Sequence, residues 1–169
     1  MSLTTVRNLI VSKLNAKLSK PVIQMEQTAT KPPYPYVGYK IIVAGNSGAG
    51  SPVMTRETVP STDINFVSDI KETAIDQSTC TFSFSTYCAT KMEADEMAII
   101  VKNFVEHALY FDLKDAGAVV VEITAIGDRT TLITNVYEYR SGFDAIIRMA
   151  TETSRTVPTI EEIIINMEE

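Results

Sequence analysis

The sequence predicts an α+β fold: a mostly antiparallel sheet with two main helices packed on it and a long projecting loop or hairpin. Three observations carry this expectation. Apolar residues recur with a helical period at the N-terminus, a second helical stretch begins at Thr90 behind its own cap, and elsewhere the apolar residues alternate with a period of two. Helices therefore stand apart from runs of strands, where an α/β protein would alternate them one by one. With 169 residues the chain is expected to form a single domain over 1–157, followed by an acidic tail over 158–169.

Each element has a local reason. Val6, Leu9, Ile10, Leu14 and Leu18 lie three or four apart with lysines between them, so the first helix has one apolar face. Thr4 or Thr5 is its expected cap, and Lys20-Pro21 its stop. Residues 22–26 read as a short strand. Lys31 to Tyr36 holds three prolines and is a stiff extended segment, while Val37 to Ala44 is a strand rich in Val, Ile and Tyr. Gly45 to Pro52 reads as a flexible loop. Residues 53–59 and 66–75 then form the arms of a long hairpin around Pro60 to Asn65.

The second half alternates more sharply. Cys80, Phe82, Phe84, Thr86 and Cys88 face one way, and Thr81, Ser83, Ser85 and Tyr87 the other. Thr90 and Glu93 form a capping box, each side chain satisfying the other's free backbone donor. The helix behind it is expected to bury Met97, Ile100, Val101, Phe104, Ala108 and Phe111 and to run to Asp112. Val119 to Ile126 reads as a strand, Gly127-Asp128 as a type II′ turn, and Arg129 to Tyr139 as the returning strand. Gly142 is expected to supply a bend, after which Phe143, Ala145, Ile147 and Met149 share one face. Ile160 to Met167 fits a strand or a helical turn equally well.

Composition narrows the function. Hydrophobic residues make up 45% and charged residues 21%, which suits a globular chain and not a disordered one. Apolar runs are only a few residues long, against the ~20 needed to cross a bilayer, so no membrane role is expected. No basic segment leads into an apolar stretch at the N-terminus, so the chain reads as an intracellularly made soluble protein. Fifteen basic against twenty-one acidic residues give a net charge of −6, unlike a binder of phosphate backbones. The charge is uneven: residues 1–25 carry four basic residues and no acid, and residues 161–169 carry four glutamates and no base.

Chemistry has few candidates. Gly45 to Ser51 mimics a phosphate loop but lacks its lysine and its following helix, and Ala49 replaces the second glycine of a nucleophile elbow. Cys80 and Cys88 sit about 26 Å apart along one strand at 3.3 Å per residue, too far to pair, and read as core thiols. One histidine and two cysteines cannot make a four-ligand zinc site. His107 lies in the second helix with neither nucleophile nor orienting acid nearby in sequence. Glu93, Asp95 and Glu96 suit the first turn of that helix, where its dipole favours negative charge. No cofactor, no metal and no catalytic residue are expected. A binding or structural protein is what the composition leaves.

Tyr137-Glu-Tyr-Arg-Ser-Gly-Phe-Asp144, together with Thr81-Phe-Ser-Phe-Ser85, the capped helix ending in Tyr110-Phe111 and Pro33-Tyr-Pro-Tyr-Val-Gly-Tyr-Lys40, resembles the neck or tail-terminator proteins of tailed bacteriophages and phage-tail-like particles. The resemblance covers about residues 1–150 and leaves the acidic extension outside it. It implies a structural virion protein, not an enzyme, that assembles as a homo-oligomeric ring, typically of six copies, on the end of the tail tube. Such a ring stops tube growth and joins the tube to a head connector or neck protein, or caps the tube in a headless particle. Partners implied are the tube protein, the connector and the sheath, with DNA passing through the lumen unbound. Alternatives are another ring-forming connector or tail-completion protein, or a small nucleotide-binding or hydrolytic enzyme using the Gly45–Pro52 loop. Glu138 and Arg140 are expected to pair, within the sheet or across a subunit joint. Gly45, Asn46, Ser47, Gly48 and Arg56 are expected at subunit or tube contacts, and Ile163 and Ile165 as a strand added to a neighbour. Phe82, Phe84, Thr90, Glu93, Gly142 and Phe143 are expected to be structural.

Overall fold

Alternation along two long strands organises the chain. A computed structural model describes residues 2–46 and 51–159. The element order is α1 (Leu3–Leu18), β1 (Val22–Gln24), β2 (Tyr36–Asn46), β3 (Val53–Pro60), β4 (Ser68–Cys88), α2 (Lys91–Asn103), a π turn (Phe104–Ala108), α3 (Tyr110–Asp115), β5 (Ala118–Ile123), β6 (Gly127–Asp128), β7 (Thr131–Ile133) and β8 (Val136–Pro158). This is an α+β fold, and the sheet order is β1-β2-β4-β8-β5. Every pairing whose register is defined is antiparallel except β1 with β2. Contacts divide the chain into two compact units, Met1–Gly48 with Gln77–Ala150 and Ala49–Asp76 with Thr151–Glu169.

In the first unit the helices cover one face of the sheet. Val6, Ile10 and Leu14 of α1 join Phe82 and Phe84 of β4 and Phe143, Ala145 and Ile147 of β8 in one buried cluster. The alternation read from Cys80 to Phe84 is present, but from Phe84 to Cys88 every residue is buried. Helix α1 starts earlier than expected because Ser2, not Thr4 or Thr5, is the cap and accepts from the Thr5 N–H. It ends at Ser19, in the left-handed region at φ 49°. Gly45 and Asn46 belong to β2, which two register shifts allow to continue opposite Cys80 and Thr79, so these two are not part of the expected loop, of which residues 47–50 lie outside the described residues.

The second helical stretch has the predicted capping box, with both Thr90 and Glu93 bonds made. Its buried stripe differs from the expected one. Ala94, Ala98, Val101, Val105, Leu109 and Leu113 face the core, whereas Ile100, Ala108 and Phe111 are exposed. Ile100 faces out because the α2 stripe runs through Ala94, Ala98 and Val101. Beyond Val105 the π turn's wider loop spends one extra residue, so the inward positions fall at Leu109 and Leu113 rather than at the expected Ala108 and Phe111.

The Gly127-Asp128 reversal is also corrected. These residues run alongside β8, opposite Gly142 and Ser141. The tight turn sits at Thr134-Asn135, both at positive φ, between the paired residues Ile133 and Val136. Positive φ at both central positions matches the natural twist of a hairpin, and Asn tolerates it better than most residues. The strand expected over 119–126 stops at Ile123.

In the second unit, β3 pairs residue by residue with Ser68 to Ile75 of β4. Glu72 is buried there between Arg56 on β3, 2.8 Å away, and Arg155 on β8, 2.6 Å away.

Gly142 lies inside β8, and what requires glycine there is space. A Cβ would stand 2.3 Å from the Phe84 carbonyl oxygen and 2.9 Å from the Arg129 guanidinium. Gly142→Ala is expected to destabilise the chain by about 1–3 kcal/mol, read from the urea unfolding midpoint.

Candidate functional site

Strand parity places Glu138, Arg140, Gly142 and Asp144 on the face of β8 opposite Phe143, Ala145 and Ile147. Two polar clusters form on that face. In the first, the Glu138 side chain is only 7% exposed and accepts hydrogen bonds from three residues, Arg140 donating through both Nε and Nη2. Arg140 Nε donates at 2.6 Å, the Tyr34 hydroxyl at 3.1 Å and Lys31 Nζ at 3.2 Å. The Pro-rich segment brings Lys31 and Tyr34 there, 107 and 104 residues away in sequence. Tyr34 stacks on Tyr36, and Tyr36 stacks on Tyr87 at 4.5 Å between ring centres. The Arg140 guanidinium sits 5.0 Å over the Tyr87 ring, an added attraction between cation and π face.

Arg129 builds the second cluster. Its guanidinium lies over Gly142 and donates to Ser83 Oγ at 2.7 Å, Ser85 Oγ at 3.1 Å, the Phe84 carbonyl at 3.2 Å and Asp144 Oδ1 at 2.8 Å. Ser83 also donates to Asp144, at 2.6 Å. At the start of α2, Lys91 bonds Asp95 and Ser141, and Ser141 bonds Asp95.

The electrostatics are those of buried joints. Burial pushes the Glu138 carboxyl up, but the hydrogen bonds from Arg140 and Lys31 and the Arg140 charge outweigh it and hold Glu138 below its ordinary value of 4.5. Asp144 behaves alike: burial raises it, and Ser83 and Arg129 bring it below 3.8. Burial pushes the Cys80 and Cys88 thiols up to about 11, so neither is an activated nucleophile. His107 is exposed and its nearest acid, Glu106, is 3.9 Å away. Among the described residues no group of three or more His, Cys, Asp or Glu could hold a metal ion, and no helix is long and apolar enough to cross a membrane.

The expected pair of Glu138 and Arg140 forms within one chain, inside the sheet. Phe82, Phe84 and Phe143 are in the core. Gly45 and Asn46 stand at the end of β2, and Arg56 is in the second unit on Glu72. Ser47, Gly48, Ile163 and Ile165 lie outside the described residues. Sequence reasoning missed Arg129, Lys31, Tyr34 and Arg155. The alternation of Ser83 and Ser85 against Asp144 was a signal that the sheet's second face needed a cation.

Comparison with known families decides the class. The family model for phage neck terminator proteins matches residues 4–169. The chain belongs to the phage neck terminator family. The match includes residues 158–169, so the acidic extension lies within the family and not outside it. None of the curated proteins matches the chain. A neck terminator is a structural component of the bacteriophage virion, located at its tail and neck. The two polar clusters fit a structural role, because they tie distant segments together.

Two outcomes test the site. Glu138 and Asp144 are more acidic folded than unfolded, so they stabilise the fold above about pH 4.5, and that contribution is lost as pH falls through their folded values. Glu138→Gln is expected to cost roughly 1–3 kcal/mol at neutral pH and to show a shallower loss of stability below about pH 4.5, measured by urea unfolding across pH. Arg129→Lys keeps the charge but loses the planar fork that reaches Ser83, Ser85, Phe84 and Asp144 together, and is expected to cost about 1–2 kcal/mol in the same assay.

Proposed function

We propose that this neck terminator assembles as a ring, typically of six copies, on the end of a completed tail tube. There it stops tube growth and gives the head connector or neck protein, and where present the sheath, a surface to join. The observation that carries the reading is the family match along residues 4–169. The geometry supports a non-catalytic role: the buried polar groups at the described clusters are used in holding strands and the Pro-rich segment together. A net charge of −6 suits a lumen that lets DNA pass without gripping its phosphates.

Within that reading the remaining candidates are contacts. Lys31 and Tyr34 expose one side while holding Glu138 with the other, so Glu138 and Arg140 would support an exposed joint from beneath. Gly45 to Gly48 and Arg56 would meet a neighbour or the tube. Ile163 and Ile165 would add to an adjacent copy, with the four glutamates of residues 161–169 facing the basic residues of 1–25. Purified chain added to elongating tube protein is expected to halt lengthening and to appear as a ring at the tube end by negative stain. Tubes that lengthen normally with no chain bound would overturn the proposal.

A further inference from the structure

Two apolar patches of the first unit stand uncovered. The β7–β8 hairpin is one. Residues 131–137 are all exposed, none is charged, and Leu132, Ile133, Val136 and Tyr137 are 42–69% exposed. Register places Leu132 opposite Tyr137 and Ile133 opposite Val136, so the two pairs point to opposite faces of the ribbon and both faces are apolar. A ribbon of that kind gains most when it enters a partner and is covered on two sides.

The outer side of α2 and α3 is the other patch. Met92, Ile99, Ile100, Tyr110 and Phe111 are 45–70% exposed, and the π turn explains why Phe111 faces outward. Beside Ile100 this surface opens into a groove of about 480 Å³, with Pro35, Cys88, Ala89 and Met97 in its walls and Glu93 and Glu96 at its rim. An uncharged hairpin brings no buried charge into it.

We infer that the β7–β8 hairpin of one copy seats on the outer α2 groove of the next, head to tail. The inference rests on the ring reading above and names its contact. Two unlike patches on one chain call for a heterologous contact, in which every copy gives its hairpin and receives its neighbour's, and such contacts close into a ring when the rotation permits. The areas agree. At roughly 100 Å² of exposed side chain for each residue, either patch offers about 400–500 Å². A stable contact covers about 800 Å² on each partner, of which about 60% is apolar.

Val136→Cys and Ile99→Cys, each introduced into a Cys88→Ser chain because Cys88 lines the groove, test the contact, since both sites are exposed and the remaining Cys80 is buried. Mixed and mildly oxidised, the two full-length variants are expected to give a disulfide-linked dimer that neither gives alone. Links only between two Val136→Cys chains would mean a symmetric contact and overturn the inference. A ring by native mass with no mixed link would also overturn it while leaving the ring reading intact. No ring, no binding at tube ends and no link would remove both. Val136→Asp supplies a second measurement: the oligomer is expected to be lost with an unchanged unfolding midpoint, and an oligomer retained in full would sink the idea.

Discussion

The close approach of β8 to β4 at Gly142 is the constraint on which the rest depends. With the Phe84 carbonyl 2.3 Å from where a Cβ would be, only glycine lets the two long strands lie at this distance. Their parity follows from their pairing. A slip of one residue would turn Phe143, Ala145 and Ile147 away from the helices and drive Asp144 and Arg140 into the core. The same missing side chain leaves room for Arg129 to cross the strand, so one glycine serves both the apolar face and the polar one.

The polar face is built from charges fixed in one state. Its carboxylates are held ionised by arginine and lysine, while Cys80 and Cys88 lie on the other, buried face of β4 with their protons retained. Activation of a nucleophile needs a group poised between two protonation states near neutral pH. The carboxylates here are pushed away from that range, so the charge state of both clusters stays constant around neutral pH.

Much of the fold was legible because its signals are local. The Thr90 and Glu93 capping box, the alternation from Cys80 to Phe84 and the shared face of Phe143, Ala145, Ile147 and Met149 are each set by neighbours within a few residues. The errors arose where tertiary pairing outweighed local preference. Gly127-Asp128 has the composition of a turn but is claimed by Gly142 and Ser141 across the sheet, and Thr134-Asn135 turns without a glycine. The π turn left no mark in the apolar spacing, so the helix stripe was set too early. In the candidate site the Glu138 and Arg140 pair was readable, two residues apart on one strand. Lys31 and Tyr34 were not, since only the folded chain spans the hundred residues between them.

Cys80 and Cys88 have a consequence for the life of the particle. Both are free and buried, and at neutral pH almost none of either is in the thiolate form that oxidants attack. A virion is built in the reducing interior of a bacterium and then persists outside it. In a neck subunit these two thiols offer little to oxidants, inside the cell or out of it.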